Sequence, residues 1–180
     1  PMLRKELEEH PDDIRCYLQL VQEYTSINSW DKAEEYCRQG RAVCCGNPVY
    51  QGWLQANLGT ILYEKGDGKF AIQEISSMLE NEHPCELVRL ILYNLLITLY
   101  ARQNHSSDVI RYGLQFEKLL LYMEKRPELW AQQQYGTIDE QSVRNPQKLA
   151  QSRIYCTEAA LEQEDIDNAE YFFKLLPWEE

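Results

Sequence analysis

Two aspartates one residue apart, Asp165 and Asp167, form the pair in this chain whose spacing most directly suggests chemistry. An Asp-x-Asp pair can hold a divalent metal and a nucleoside diphosphate in sugar transfer, but that role needs it at the end of a strand in an α/β domain. Around it, Glu164 to Glu170 reads as a polar turn between two helices, with no strand or glycine-rich phosphate loop nearby. The pair is expected to be a solvated turn. The histidines fare no better as ligands. His10 and His83 precede prolines and His105 sits in the turn Asn104-His105-Ser106-Ser107, so the three lie at separate unit ends. A zinc site wants four nitrogen or sulfur ligands at short paired spacings, and His83 with Cys85 is the only close pair. The six cysteines show no C-x-x-C spacing, and Cys44-Cys45 is a vicinal pair at a helix end. Without a strand-turn-helix context no nucleophile elbow is suggested either. No catalytic residue, metal or cofactor is expected, and the chain reads as a non-enzyme.

Charge narrows the partners. With 18 Lys+Arg against 29 Asp+Glu the net charge is −11, which argues against a nucleic-acid backbone and an anionic membrane surface. The longest apolar stretch, Leu87 to Ala101, is interrupted by Arg89 and Asn94 and is too short to span a bilayer. Free thiols in a reducing cytoplasm are expected. Hydrophobic residues at 44% supply an ample core, while 8 Gly and 7 Pro are sparse for a turn-rich β fold. Pro1 before Met2 is not a translation start, so an excised or processed piece of something longer is expected.

Stepping from side chains to elements, apolar residues recur at helical spacing throughout. Tyr17, Leu20, Val21 and Tyr24 fall at i, i+3, i+4 and i+7, as do Tyr93, Leu96, Ile97 and Tyr100. The class is all-α. Leu20, Leu58 and Leu96 stand 38 residues apart, and so do Ala33, Ala71 and Val109. Each unit is a helix, a short polar turn and a second helix. Such pairs must stack to bury their apolar stripes. Tyr24, Ala33, Leu58, Leu62, Ala71, Leu96 and Tyr100 are expected to be buried.

The pattern of Tyr17, Leu20, Val21, Tyr24, Ala33, Cys37 and Gly40 resembles the tetratricopeptide repeat. So do Gln55, Leu58, Gly59, Leu62, Ala71, Ile75 and Met78, and Tyr93, Leu96, Ile97, Tyr100, Val109, Gly113 and Phe116. The spacing departs from the 34 residues of that family, so each junction should hold an extra helical turn or a longer loop. The resemblance implies one solenoid domain over residues 1–180, with a preceding helix tail at 2–10 and repeats at 12–45, 48–82 and 85–125. An irregular insertion at 126–145, with one short helix near 129–134, and a degenerate repeat at 146–176 follow. It also implies a concave groove lined by Arg15, Leu18, Gln22, Thr25, Trp53, Ala56, Thr60, Tyr63, Asn94, Thr98 and Arg102. Trp53 and Tyr63 would touch a bound protein or peptide. The terminal-carboxylate clamp of chaperone-binding members is not matched, since only Asn57 fits among Leu18, Gln22, Asn57, Ile91 and Leu95.

The opening, Leu3 to Asp13 through Trp30-Asp31-Lys32-Ala33-Glu34, and the closing stretch from Leu129-Trp130 to Ala169-Glu170 are similar to the repeats that follow the catalytic domain in bacterial family 2 glycosyltransferases. That implies a non-catalytic accessory or protein-interaction domain, with the parent catalytic domain or a peptide as partner. The alternative is a free-standing scaffold or peptide-binding module. Met2, Leu3 and Leu7 at one end, and Leu175, Leu176 and Trp178 at the other, form apolar ends that imply neighbours in a parent chain or self-association.

Overall fold

The computed structural model describes residues 2–44, 47–135 and 138–177. Among these residues the regular structure is all α-helical, with one isolated bridge between Tyr135 and Ile138. Expectations placed on Cys45, Gly136, Trp178 and the Met2 side chain lie outside what is described. None of the described helices is long and apolar enough to cross a membrane. By packing, the chain divides into two compact units, Pro1–Pro84 and Cys85–Glu180.

The first unit holds α1 (Met2–Glu9), α2 (Ile14–Ser26), α3 (Trp30–Val43), α4 (Pro48–Lys65) and α5 (Gly68–Asn81). Short polar side chains begin these helices by accepting from otherwise orphaned amides. Asp13 accepts from the Arg15 N–H, Asn47 from those of Val49 and Tyr50, and Asp67 from that of Phe70. Pro48 follows Asn47 at a position where a missing N–H costs nothing. Helix α2 packs on α3, α3 on α4, α4 on α5, and α1 against α2. Small residues permit the close crossings: a Cβ on Gly40 of α3 would lie 2.9 Å from Cβ of Tyr17 on α2. Ala33 and Ala71 are fully buried, with Leu58 and Ile75 beside them in the core. Each large aliphatic side chain buried this way stabilises by roughly 1.5–3 kcal/mol relative to exposure.

The second unit holds α6 (Glu86–Arg102), α7 (Ser106–Glu124), α8 (Pro127–Gln133), α9 (Glu140–Arg144), α10 (Pro146–Glu162) and α11 (Ile166–Lys174). Helices α6 and α7 pair, α10 packs on both, α11 packs on α10, and α8 and α9 brace α6. Where one short helix near 129–134 is expected, two are found. Pro127 starts α8. The Asp139 side chain and Ser142 cap each other's backbone amides to start α9. A largely buried ion pair joins α7 and α10 in this unit. Arg153 of α10 donates through Nε and Nη2 to the carboxylate of Glu117 on α7, at 2.8 and 3.1 Å, and through Nη1 to the Leu175 carbonyl at 2.8 Å.

One feature repeats along the chain. Asn28, Gly66, Asn104 and Glu164 are left-handed, at φ of 56°, 81°, 56° and 56°, each in the turn joining a helix pair. The first three stand at the 38-residue spacing seen in the apolar pattern. Glycine adopts this backbone freely and asparagine tolerates it. The next residue in every case, Ser29, Asp67, His105 or Asp165, precedes the second helix. The longer period is taken up inside the helices, because the junctions 44–47 and 82–85 are short and α4 starts at Pro48.

Candidate functional site

Asp165 and Asp167 have an architectural explanation. The Asp165 carboxylate accepts from the Asn168 backbone amide at 3.2 Å and from its Nδ2 at 2.7 Å, capping α11. Asp167 lies in the first turn of that helix, where a negative charge complements the helix dipole.

The residues expected to line a groove are divided between the units. Arg15, Leu18, Gln22, Thr25, Trp53, Ala56, Thr60 and Tyr63 lie on α2 and α4 of the first; Asn94, Thr98 and Arg102 lie on α6 of the second. Trp53 was expected to offer its ring to a ligand, yet it is 3% exposed and its indole N–H has no hydrogen-bond partner. The physical reason is that residues from Gly52 to Ala56 are buried in succession. That run is longer than one helical turn, so α4 has no open face there. Leu18 and Ala56 are buried too. Thr60 and Thr98 donate their hydroxyls to the carbonyls of Ala56 and Asn94, one turn back on their own helices. Arg15 is exposed but held by Asp13, with Nε and Nη2 donating to the carboxylate at 3.1 and 2.9 Å. Gln22 is exposed in a shallow depression with Gln19, Glu23 and Ser26. Tyr63 and Asn94 are half-buried, and Arg102 is exposed.

The two most deeply buried titrating thiols are held in the protonated form. Burial pushes the Cys37 and Cys156 thiols up to about 12, far from the thiolate a nucleophile requires. Ligand atoms of Glu6, Asp13 and Cys16 lie within 4.8 Å of one another. A metal there would have to displace both the Arg15 guanidinium and the α2 amide from Asp13. It would also have to deprotonate Cys16, whose thiol burial raises. The geometry serves the α1–α2 corner instead.

A more receptive place lies wholly within the second unit. Helices α6 and α7 flank a cleft of about 370 Å³ whose walls include Arg89, Tyr93, Lys118, Leu119 and Tyr122. Arg89 donates from Nη2 to the Tyr93 hydroxyl at 3.1 Å, with its guanidinium 5.7 Å from that ring's centroid. Arg126 lies 3.9 Å from the centroid of Tyr122, one turn further along. Glu86 of α6 also lines the cleft, and its carboxylate is bound by α8. Gln133 Nε2 donates to it at 2.7 Å, while Gln133 Oε1 accepts the Leu87 N–H at 2.9 Å. Arg15, Arg38, Arg41, Arg111, Arg144 and Arg153 are all in ion pairs. Among the described residues Arg89, Lys118 and Arg126 are in none. The sequence does carry a signal for this place: Arg89/Tyr93 and Lys118/Tyr122 are base–tyrosine pairs four residues apart on one helical face each, and Arg126 follows Tyr122 by four.

No protein-family model matches the chain, and no curated protein matches its sequence.

Proposed function

We propose that this chain is a non-catalytic accessory and protein-interaction domain built from tetratricopeptide-like helix pairs, the C-terminal part of a bacterial family 2 glycosyltransferase. The observation that carries the repeat reading is the left-handed turn at Asn28, Gly66 and Asn104, recurring at the spacing of Leu20, Leu58 and Leu96. A backbone conformation that recurs in step with the apolar pattern is what a stacked repeat requires. The structural employment of Asp165, the buried thiols and the Glu117–Arg153 pair supports the absence of a reaction centre in this segment. The tie to glycosyl transfer rests on the likeness of the opening and closing stretches alone. In the alternative reading the same fold is a free-standing scaffold or peptide-binding module.

Two measurements test this. The chain alone should release no nucleoside diphosphate from any nucleotide-sugar, and turnover by it would overturn the reading. Removing it from a longer transferase should change acceptor choice, assembly or stability while leaving donor hydrolysis in place. Loss of donor hydrolysis on that removal, with the catalytic domain still folded, would count against an accessory role.

A further inference from the structure

The cleft between α6 and α7 has the chemistry of a carboxylate-binding site. We propose that it takes an acidic side chain of a peptide, with a neighbouring apolar side chain laid against Tyr122 and Leu119. This rests on the reading of the chain as an interaction domain and names what it would bind.

Three observations converge. First, Arg89 and Lys118 both line the cleft, and neither forms an ion pair among the described residues. Second, the one carboxylate among the cleft's walls, Glu86, accepts a hydrogen bond from Gln133, so the lining carries two positive charges against one negative. Third, the Tyr93 hydroxyl accepts from Arg89, which leaves its own proton to donate to an incoming oxygen. A ligand carboxylate would thus meet the guanidinium, the ammonium and a phenol. Contacts to the two cationic groups are charge-assisted and stronger than neutral ones. The volume is at the lower end for ligand clefts, suited to one or two side chains rather than a cofactor.

The test is a titration of the ¹⁵N-labelled chain with acetyl-Glu-Phe-Glu-amide, with acetyl-Gln-Phe-Gln-amide as the uncharged control. Saturable shifts centred on Arg89, Tyr93, Lys118 and Tyr122 are expected, with the control about tenfold weaker, as for loss of a charge-assisted hydrogen bond. Arg89→Gln and Lys118→Glu should each weaken binding at least about fivefold on the same scale. Lys118 is exposed, so its replacement leaves the fold intact. Equal binding of the two peptides, absence of saturation, or inorganic phosphate competing as well as the peptide would overturn the proposal. Saturable shifts centred instead on Asn94, Thr98 and Arg102 would overturn this cleft while leaving the interaction-domain reading standing.

Discussion

Gly113 of α7 and the thiol of Cys156 on α10 occupy a single space: a Cβ on the glycine would collide with Sγ and stand 3.0 Å from Cζ of Phe172. The pair sets how closely α10 approaches the α6–α7 pair. Gly113→Ala should therefore cost about 1–3 kcal/mol, the usual range for overpacking a core. Cys156→Ala on that background should recover part of the loss. Urea denaturation of the two single variants and the double variant measures the coupling. Additive effects would show that the two positions do not share this space.

Arg153 and Glu117 offer a sharper contrast, because the Glu117 side chain is only 7% exposed and the Arg153 side chain 15%. Arg153→Met strands the carboxylate and releases the Leu175 carbonyl, so a loss of about 3–5 kcal/mol is expected. Replacing both with Met and Leu should be far less damaging than the single change. Equal losses in the two variants would mean that packing, not charge, dominates there.

The turn at Glu164 holds a non-glycine, non-asparagine residue in the left-handed region. Glu164→Gly should raise stability by about 0.5–1 kcal/mol, since relief of strain outweighs the added freedom of the unfolded chain. The melting temperature should rise by about 1–4 °C. Asn28→Gly should change it less.

Acid should weaken the first unit through Glu34. Burial pulls this carboxyl upward, but hydrogen bonds from Lys65 and Arg38 outweigh it and hold the group below its ordinary value of 4.5. Its folded value is thus depressed. The stability it supplies is complete above that ordinary value and is lost as pH falls through the folded one. Melting temperatures between pH 7 and pH 3 should fall less steeply for Glu34→Gln than for the parent chain.

Thiol chemistry should separate by position. Alkylation of the native chain, mapped by mass spectrometry, should mark half-buried Cys44 well before Cys37 and Cys156. Prompt labelling of Cys37 would show that α3 opens locally.

Against these details, the helical class and the turns were legible because both leave periodic marks: apolar residues at helical steps, and short polar turns one period apart. The buried alanines Ala33 and Ala71 were legible for the same reason. Tyr24 and Tyr100 are half-buried instead. Tyrosine keeps its hydroxyl near the surface, as Tyr24 does where it meets Arg4, while its ring stacks on Tyr36 at 5.5 Å. Trp53 misled because a periodic reading gives every helix a solvent face, and α4 lacks one along its buried run. The α6–α7 cleft needed two helices brought together. Its base–tyrosine spacings are visible in sequence, but the hydrogen bond from Gln133 to Glu86 spans 47 residues and leaves no local trace.

Gln133 also bears on how the chain is made. The Leu87 amide at the start of α6 finds its acceptor in Gln133, 46 residues later. At about 5–20 residues per second of synthesis, roughly 2–9 s pass before the acceptor is polymerised. Until then the Leu87 amide lacks this acceptor, so the start of α6 is completed only after α8 has been synthesised.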